Sequence, residues 1–153
     1  SPTNQWPFGN VSSAAYRLAQ SPGYAPSVFN WFRPGYTPPG TAIADAGLVA
    51  PEFQITNEPS VIAYINYMQN VIPYGVGEAK ADYTALTELA KVSQQLLEEL
   101  NLLLAANQIS ATTIAQMKTA LDTIDATTAT GIKNRIHAAI MLIMASPEYL
   151  VLR

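Results

Sequence analysis

From about Asp82 to Ala106, apolar side chains recur at Leu86, Leu89, Val92, Leu96, Leu97, Leu100, Leu103 and Leu104, while Lys91, Gln94, Gln95, Glu98 and Asn101 take the other side. Steps of three and four residues predict one long amphipathic helix. The stretch "NQIS" (107–110) breaks it, and Ser110 is placed to cap a following helix, with Ile109 and Ile114 as a hydrophobic staple. That helix is expected to bury Ile114, Met117, Leu121 and Ile124. Thr127–Gly131 reads as a short polar linker into a last helix over 132–146, apolar all round from Ala138. All-round apolarity predicts burial on every side, which puts Ile136, Ile140 and Ile143 at the centre of the core. Pro147 ends this helix.

The first half follows a weaker pattern. "VSSAAYRLAQS" (11–21) predicts three helical turns, with Ser12 or Ser13 as N-cap and Pro22 as the stop. Residues 22–56 read as irregular, with a helical turn around "SVFNWF". A further helix is expected from Asn57, whose side chain can cap and after which Pro59 fits the first turn. Its apolar stripe is Val61, Tyr64, Ile65, Met68 and Val71/Ile72, and Pro73 is its expected stop. "LAQSPGY" (18–24) and "IMASPEY" (143–149) share a Ser-Pro helix-stop device, which two distant copies do not make into a repeat fold.

Composition sharpens the division. Ten of the eleven prolines and twelve of the fourteen aromatics lie in residues 1–74, leaving 75–153 to Leu, Ala, Ile, Thr, Glu and Gln. At 153 residues the chain has one domain's length. The prediction is therefore a single all-α domain over 1–153, a bundle of four to five helices (75–153) with an irregular Pro- and aromatic-rich layer (1–74) packed on it.

Charge and cysteine content narrow the chemistry. Charged residues are 12% of the chain, about half the usual share, and the net charge is −3 with no basic stripe. Nucleic acid is excluded as a partner on that ground. The longest apolar run, "AAIMLIMA" (138–145), is far short of the ~20 residues a membrane span needs, so no transmembrane segment is predicted. With no Cys there is neither a disulfide framework nor a thiolate metal site. The opening residues carry no signal-peptide pattern.

Three stretches carry a family resemblance: "APSVFNWFRPGYTPPG" (25–40), "AGLVAPEFQITNEPSV" (46–61) and the terminal "R…AAIMLIMASPEYLVLR" (135–153). They resemble the C-terminal part of domain-of-unknown-function family 1800, a large bacterial family of exported proteins. Residues 75–130 agree only in their helix–"NQIS"–helix layout. The resemblance implies an all-helical, exported (periplasmic, cell-surface or extracellular) protein of which this chain is the final portion. It supplies no reaction and no catalytic residue.

The candidate residues cluster in 21–40, where five prolines and five aromatic rings surround one charge, Arg33. One reading makes Trp6, Trp31, Arg33 and Tyr36 a binding surface, with Tyr24 and Tyr74 beside it, on which rings stack against polysaccharide. The other makes Arg33 half of a structural ion pair with Asp45, Glu52 or Glu58, since a charge held among aromatics needs compensation. In that reading the rings fill a seam between the two layers. His137, the one histidine, lacks an evident nucleophile and orienting acid. The carboxylate pairs Glu98/Glu99 and Asp122/Asp125 fall on solvated helix faces. No catalytic motif, metal site or cofactor site is predicted.

The function expected is a non-enzymatic structural or interaction segment acting in assembly or at the cell surface. Its expected partners are further copies of itself or an N-terminal part of the same protein. Two alternatives remain: a carbohydrate-binding module, and the C-terminal part of an enzyme whose active site lies elsewhere.

Overall fold

The computed structural model describes residues 9–150. Among them all regular structure is helical, with no β-strand, so the fold is all-α. No helix of the described residues is long and apolar enough to cross a membrane. The chain forms two compact units, Ser1–Val71 with Val76–Ala79, and Ile72–Gly75 with Lys80–Arg153. The composition shift at residue 74 falls where the chain passes from one to the other.

The first unit is mostly turns. The helix expected over 11–21 does not form. Asn10 Oδ1 accepts from both the backbone N–H and the hydroxyl of Ser12, which occupies the expected cap in a local turn instead. After one helical hydrogen bond, Arg17 N to Ser13 O, the chain folds back so that Leu18 N reaches Val11 O. Ala19 then sits in the left-handed region at φ 62°. The helical turn expected around "SVFNWF" is a tight turn, closed by Asn30 N to Ser27 O with Asn30 at φ 64°. Helix α1 (Ala42–Asp45) is a single turn capped by Thr41, and a 3-10 segment (Pro51–Ile55) follows.

Helix α2 (Glu58–Tyr74) starts where expected. Asn57 Oδ1 accepts from Ser60 N and Ser60 Oγ accepts from Asn57 N, each at 3.0 Å, a reciprocal cap. The helix runs one residue past Pro73, which has no N–H to lose beyond its own. Its buried face differs from the expected one. Ile72 is buried as expected, and Ser60 and Ala63 are buried with it, whereas Val61 and Ile65 of the expected stripe face solvent, as does Ile62. A helix apolar on most of its circumference has no polar face to fix which side turns inward, and here the small side chains Ser60 and Ala63 lie inward.

In the second unit, the helix expected over 82–106 is interrupted. Two 3-10 turns, Thr84–Leu86 and Leu89–Lys91, precede an extended Val92, and helix α3 covers Ser93–Ala105. Of the expected stripe Leu96, Leu97 and Leu100 are buried, but Val92, Leu103 and Leu104 are exposed. Asn101, expected on the polar side, is buried and pairs both its amide atoms with the backbone of Ile109. Helix α4 (Ala111–Leu121) has the Ser110 cap and buries Ile114, Met117 and Leu121, with Ile109 also buried. Ile124 lies beyond the helix and is half-buried.

Helix α5 (Ala129–Met144) begins inside the expected linker, capped by Thr128, and helix α6 (Pro147–Leu150) follows the Ser-Pro stop. Helices α3, α4 and α5 pack on one another, and α6 returns to α3 and α5. Ile136, Ile140 and Ile143 are buried as expected.

Candidate functional site

Of the expected binding residues, Trp6 lies outside the described residues. Trp31 and Tyr36 are half-buried, and Arg33 is exposed. Arg33 makes no ion pair with Asp45, Glu52 or Glu58, all three of which are exposed. A guanidinium already in water demands no buried partner, which removes the argument for the pair. Its backbone N–H donates instead to Gln54 Oε1 at 2.7 Å. Tyr24 and Phe29 are exposed rather than packed in a seam. Among the described residues no two rings of this stretch contact one another. Tyr36 is held by its backbone, which donates to Arg33 O and accepts from Ala50 N.

Trp31 does line a groove. In the first unit a depression of about 470 Å3 is walled by Val11, Leu18, Gln20, Ser21, Asn30 and Trp31, among others, with no charged residue on it among the described residues. The left-handed Ala19 lies between two of the lining residues, Leu18 and Gln20.

A second groove, of about 590 Å3, lies in the other unit along Asp82, Tyr83, Glu88, Lys91, Ile132 and Lys133. It carries both signs of charge. Lys91 pairs with Glu88 at 2.7 Å, an exposed i,i+3 contact of small energetic weight. Asp82 Oδ1 accepts from the N–H and hydroxyl of Thr84, and these bonds hold its carboxyl below the usual range. The Tyr83 hydroxyl donates to the Ile72 carbonyl at 2.8 Å, and burial pushes its pKa up. His137 meets the Tyr83 ring edge-on, with centroids 5.4 Å apart. Its Nε2 is buried with no hydrogen-bond partner, and burial, then Lys133, lowers its pKa. Among the described residues no cluster of acidic or histidine side chains has the makings of a metal site.

The buried cation is Arg135, a residue that sequence reasoning gave no role. It is 6% exposed. Nη1 donates to the carbonyls of Ala90 and Lys91, each at 3.3 Å, and Nη2 donates to Ile124 O. A continuous helix would have spent the Ala90 and Lys91 carbonyls on its own next turn. Arg135 takes them up instead, which accounts for the break before α3. The signal in the sequence was its position: Arg135 lies four residues before Ala139 and eight before Ile143, on the apolar face of α5.

Glu148 has a comparable bridging role. Its carboxylate accepts from Thr113 Oγ1 at 2.6 Å and Ser110 Oγ at 3.2 Å at the start of α4, and these bonds lower its pKa. A negative charge is also favourable at a helix N-terminus.

The family model for a protein of unknown function, DUF1800, matches residues 6–151. The chain belongs to this family. The DUF1800 match runs through 75–130 as well as through the three stretches that carry the resemblance, apart from the last two residues of the terminal one. It therefore spans both compact units, both grooves and the buried Arg135. No curated protein and no solved structure matches the chain.

Proposed function

We propose that this chain is a non-enzymatic association module that docks on further copies of itself, within an exported bacterial protein acting in assembly or at the cell surface. The observation that carries the reading is the outer face of α2. Val61, Ile62 and Ile65 are 43%, 60% and 38% exposed at the middle of that face. Asn66 and Gln69 continue it, and no charged residue occurs between Glu58 and Glu78. Apart from Glu58 at its N-terminal end, this face offers apolar side chains and amides without charge, so two copies that meet over Ile62, Ile65 and Gln69 bring no like charges together there and their amides can pair. The 12% charge content of the chain supports the same reading, since covering such a face relieves a surface poor in solvating groups. Export and a bacterial source are supported by the family resemblance.

Light scattering on the intact chain tests the association. The expected mass is a multiple of the 16.5 kDa chain, reduced to that of the single chain by Ile62→Asp with Ile65→Asp. A wild-type chain that stays monomeric at high concentration, or a double variant that still associates, would overturn the reading.

A further inference from the structure

We propose that the Trp31 groove is a binding site for a neutral saccharide unit, separate from the α2 face. Its lining contains three neutral hydrogen-bonding side chains, Gln20, Ser21 and Asn30, beside one indole. None of the three side chains makes a hydrogen bond within the described residues. Ser21 is only 3% exposed and lines the groove, and its hydroxyl has no protein partner among the described residues. Such a hydroxyl at the groove wall is free to exchange water for a ligand's own polar group.

The chemistry of the lining selects the ligand class. Amide and hydroxyl groups both donate and accept, matching sugar hydroxyls, which do the same. Among the described residues no Lys, Arg, Asp or Glu is on the lining to neutralise a charged ligand. The half-buried Trp31 ring offers a flat apolar surface for the C–H face of a pyranose, and the polar side chains of the same lining offer partners for its hydroxyls. The volume of about 470 Å3 lies within the span of small-molecule sites, about 300–1,000 Å3. The backbone around it is held in left-handed conformations at two non-glycine residues, Ala19 and Asn30. Strain of this kind persists where surrounding structure fixes a geometry, and it gathers at ligand sites.

Saturation-transfer NMR and calorimetry on the intact chain with cellotetraose, xylotetraose and chitotriose test the proposal, with a galacturonate oligomer and an uncharged tetrapeptide as comparisons. At least one neutral oligosaccharide is expected to bind with a millimolar or tighter Kd. Trp31→Ala should weaken it by about tenfold or more, and the exposed Gln20→Ala by about three- to tenfold, the scale of one neutral hydrogen bond. Gln20→Ala keeps the test valid if Trp31→Ala disturbs folding. Absence of binding by all three sugars, equal binding by the Gln20→Ala chain, or tighter binding of the galacturonate or the peptide would overturn it.

Discussion

Replacing Arg135 should unfold the second unit more readily than any other single change of a polar side chain there. Its guanidinium serves three carbonyls that have no other hydrogen-bond donor among the described residues. In Arg135→Met much of the side-chain volume stays but all three are left unpaired. The Ala90 carbonyl belongs to a fully buried residue, so it should cost about 1–3 kcal/mol. The Lys91 and Ile124 carbonyls are partly open to water and should cost roughly 1 kcal/mol each. The sum is about 3–5 kcal/mol, an upper bound, because the same change also removes a desolvated cation and its buried, unpaired Nε–H. Arg135→Ala adds a cavity and should cost more. Arg135→Lys keeps the charge but lacks the planar fork that reaches three acceptors, so it should fall in between. Urea unfolding followed by circular dichroism measures this, the midpoint falling at constant slope. An Arg135→Met chain within about 0.5 kcal/mol of wild type would refute the reasoning, because surface-like changes fall in that range.

Two further outcomes follow from local geometry. A Cβ on Gly131 would run into the Asp125 carbonyl oxygen, so Gly131→Ala should destabilise by about 1–3 kcal/mol, read as a lower melting temperature; a neutral result would mean that this backbone yields freely. His137 is held below its ordinary value of 6.5, so the unfolded chain takes up the proton more readily and stability should fall as pH drops from 6.5 towards the folded value, with the full contribution present above it. Comparing urea midpoints at about pH 7.5 and about pH 5.5, His137→Gln should lose less stability than wild type; equal losses would assign the pH dependence to other groups.

Most of the second unit was legible because its signals are local. Ser110 as a cap, Ile109 with Ile114 as a staple, and the burial of Ile136, Ile140 and Ile143 depend on neighbours within a turn or two. The break before α3 depends on Arg135, which lies 45 residues from Ala90 in sequence, and no window across 82–106 contains it. A nearer partner, eight residues on and past the end of α3, hid the role of Asn101. An amide on a leucine-rich helix reads as solvated until the backbone of Ile109 returns to pair with it.

The first unit failed for a different reason. Asn10 and Ser27 hold short turns with their own side chains, and these bonds compete with the helical pattern around them. Along α2, the periodicity gave the helix but not its orientation, because residues 59–77 hold no charge to mark an outer face. Arg33 was misread through the assumption that aromatic neighbours in sequence are neighbours in space. With Tyr24 and Phe29 turned to solvent, the environment that would have demanded a buried carboxylate never forms. The same turns that separate the rings place Trp31 with Gln20, Ser21 and Asn30 in one neutral groove. A residue chosen for its ring is therefore accompanied by polar partners that composition alone could not assign to it, and the chemistry worth testing follows from that grouping.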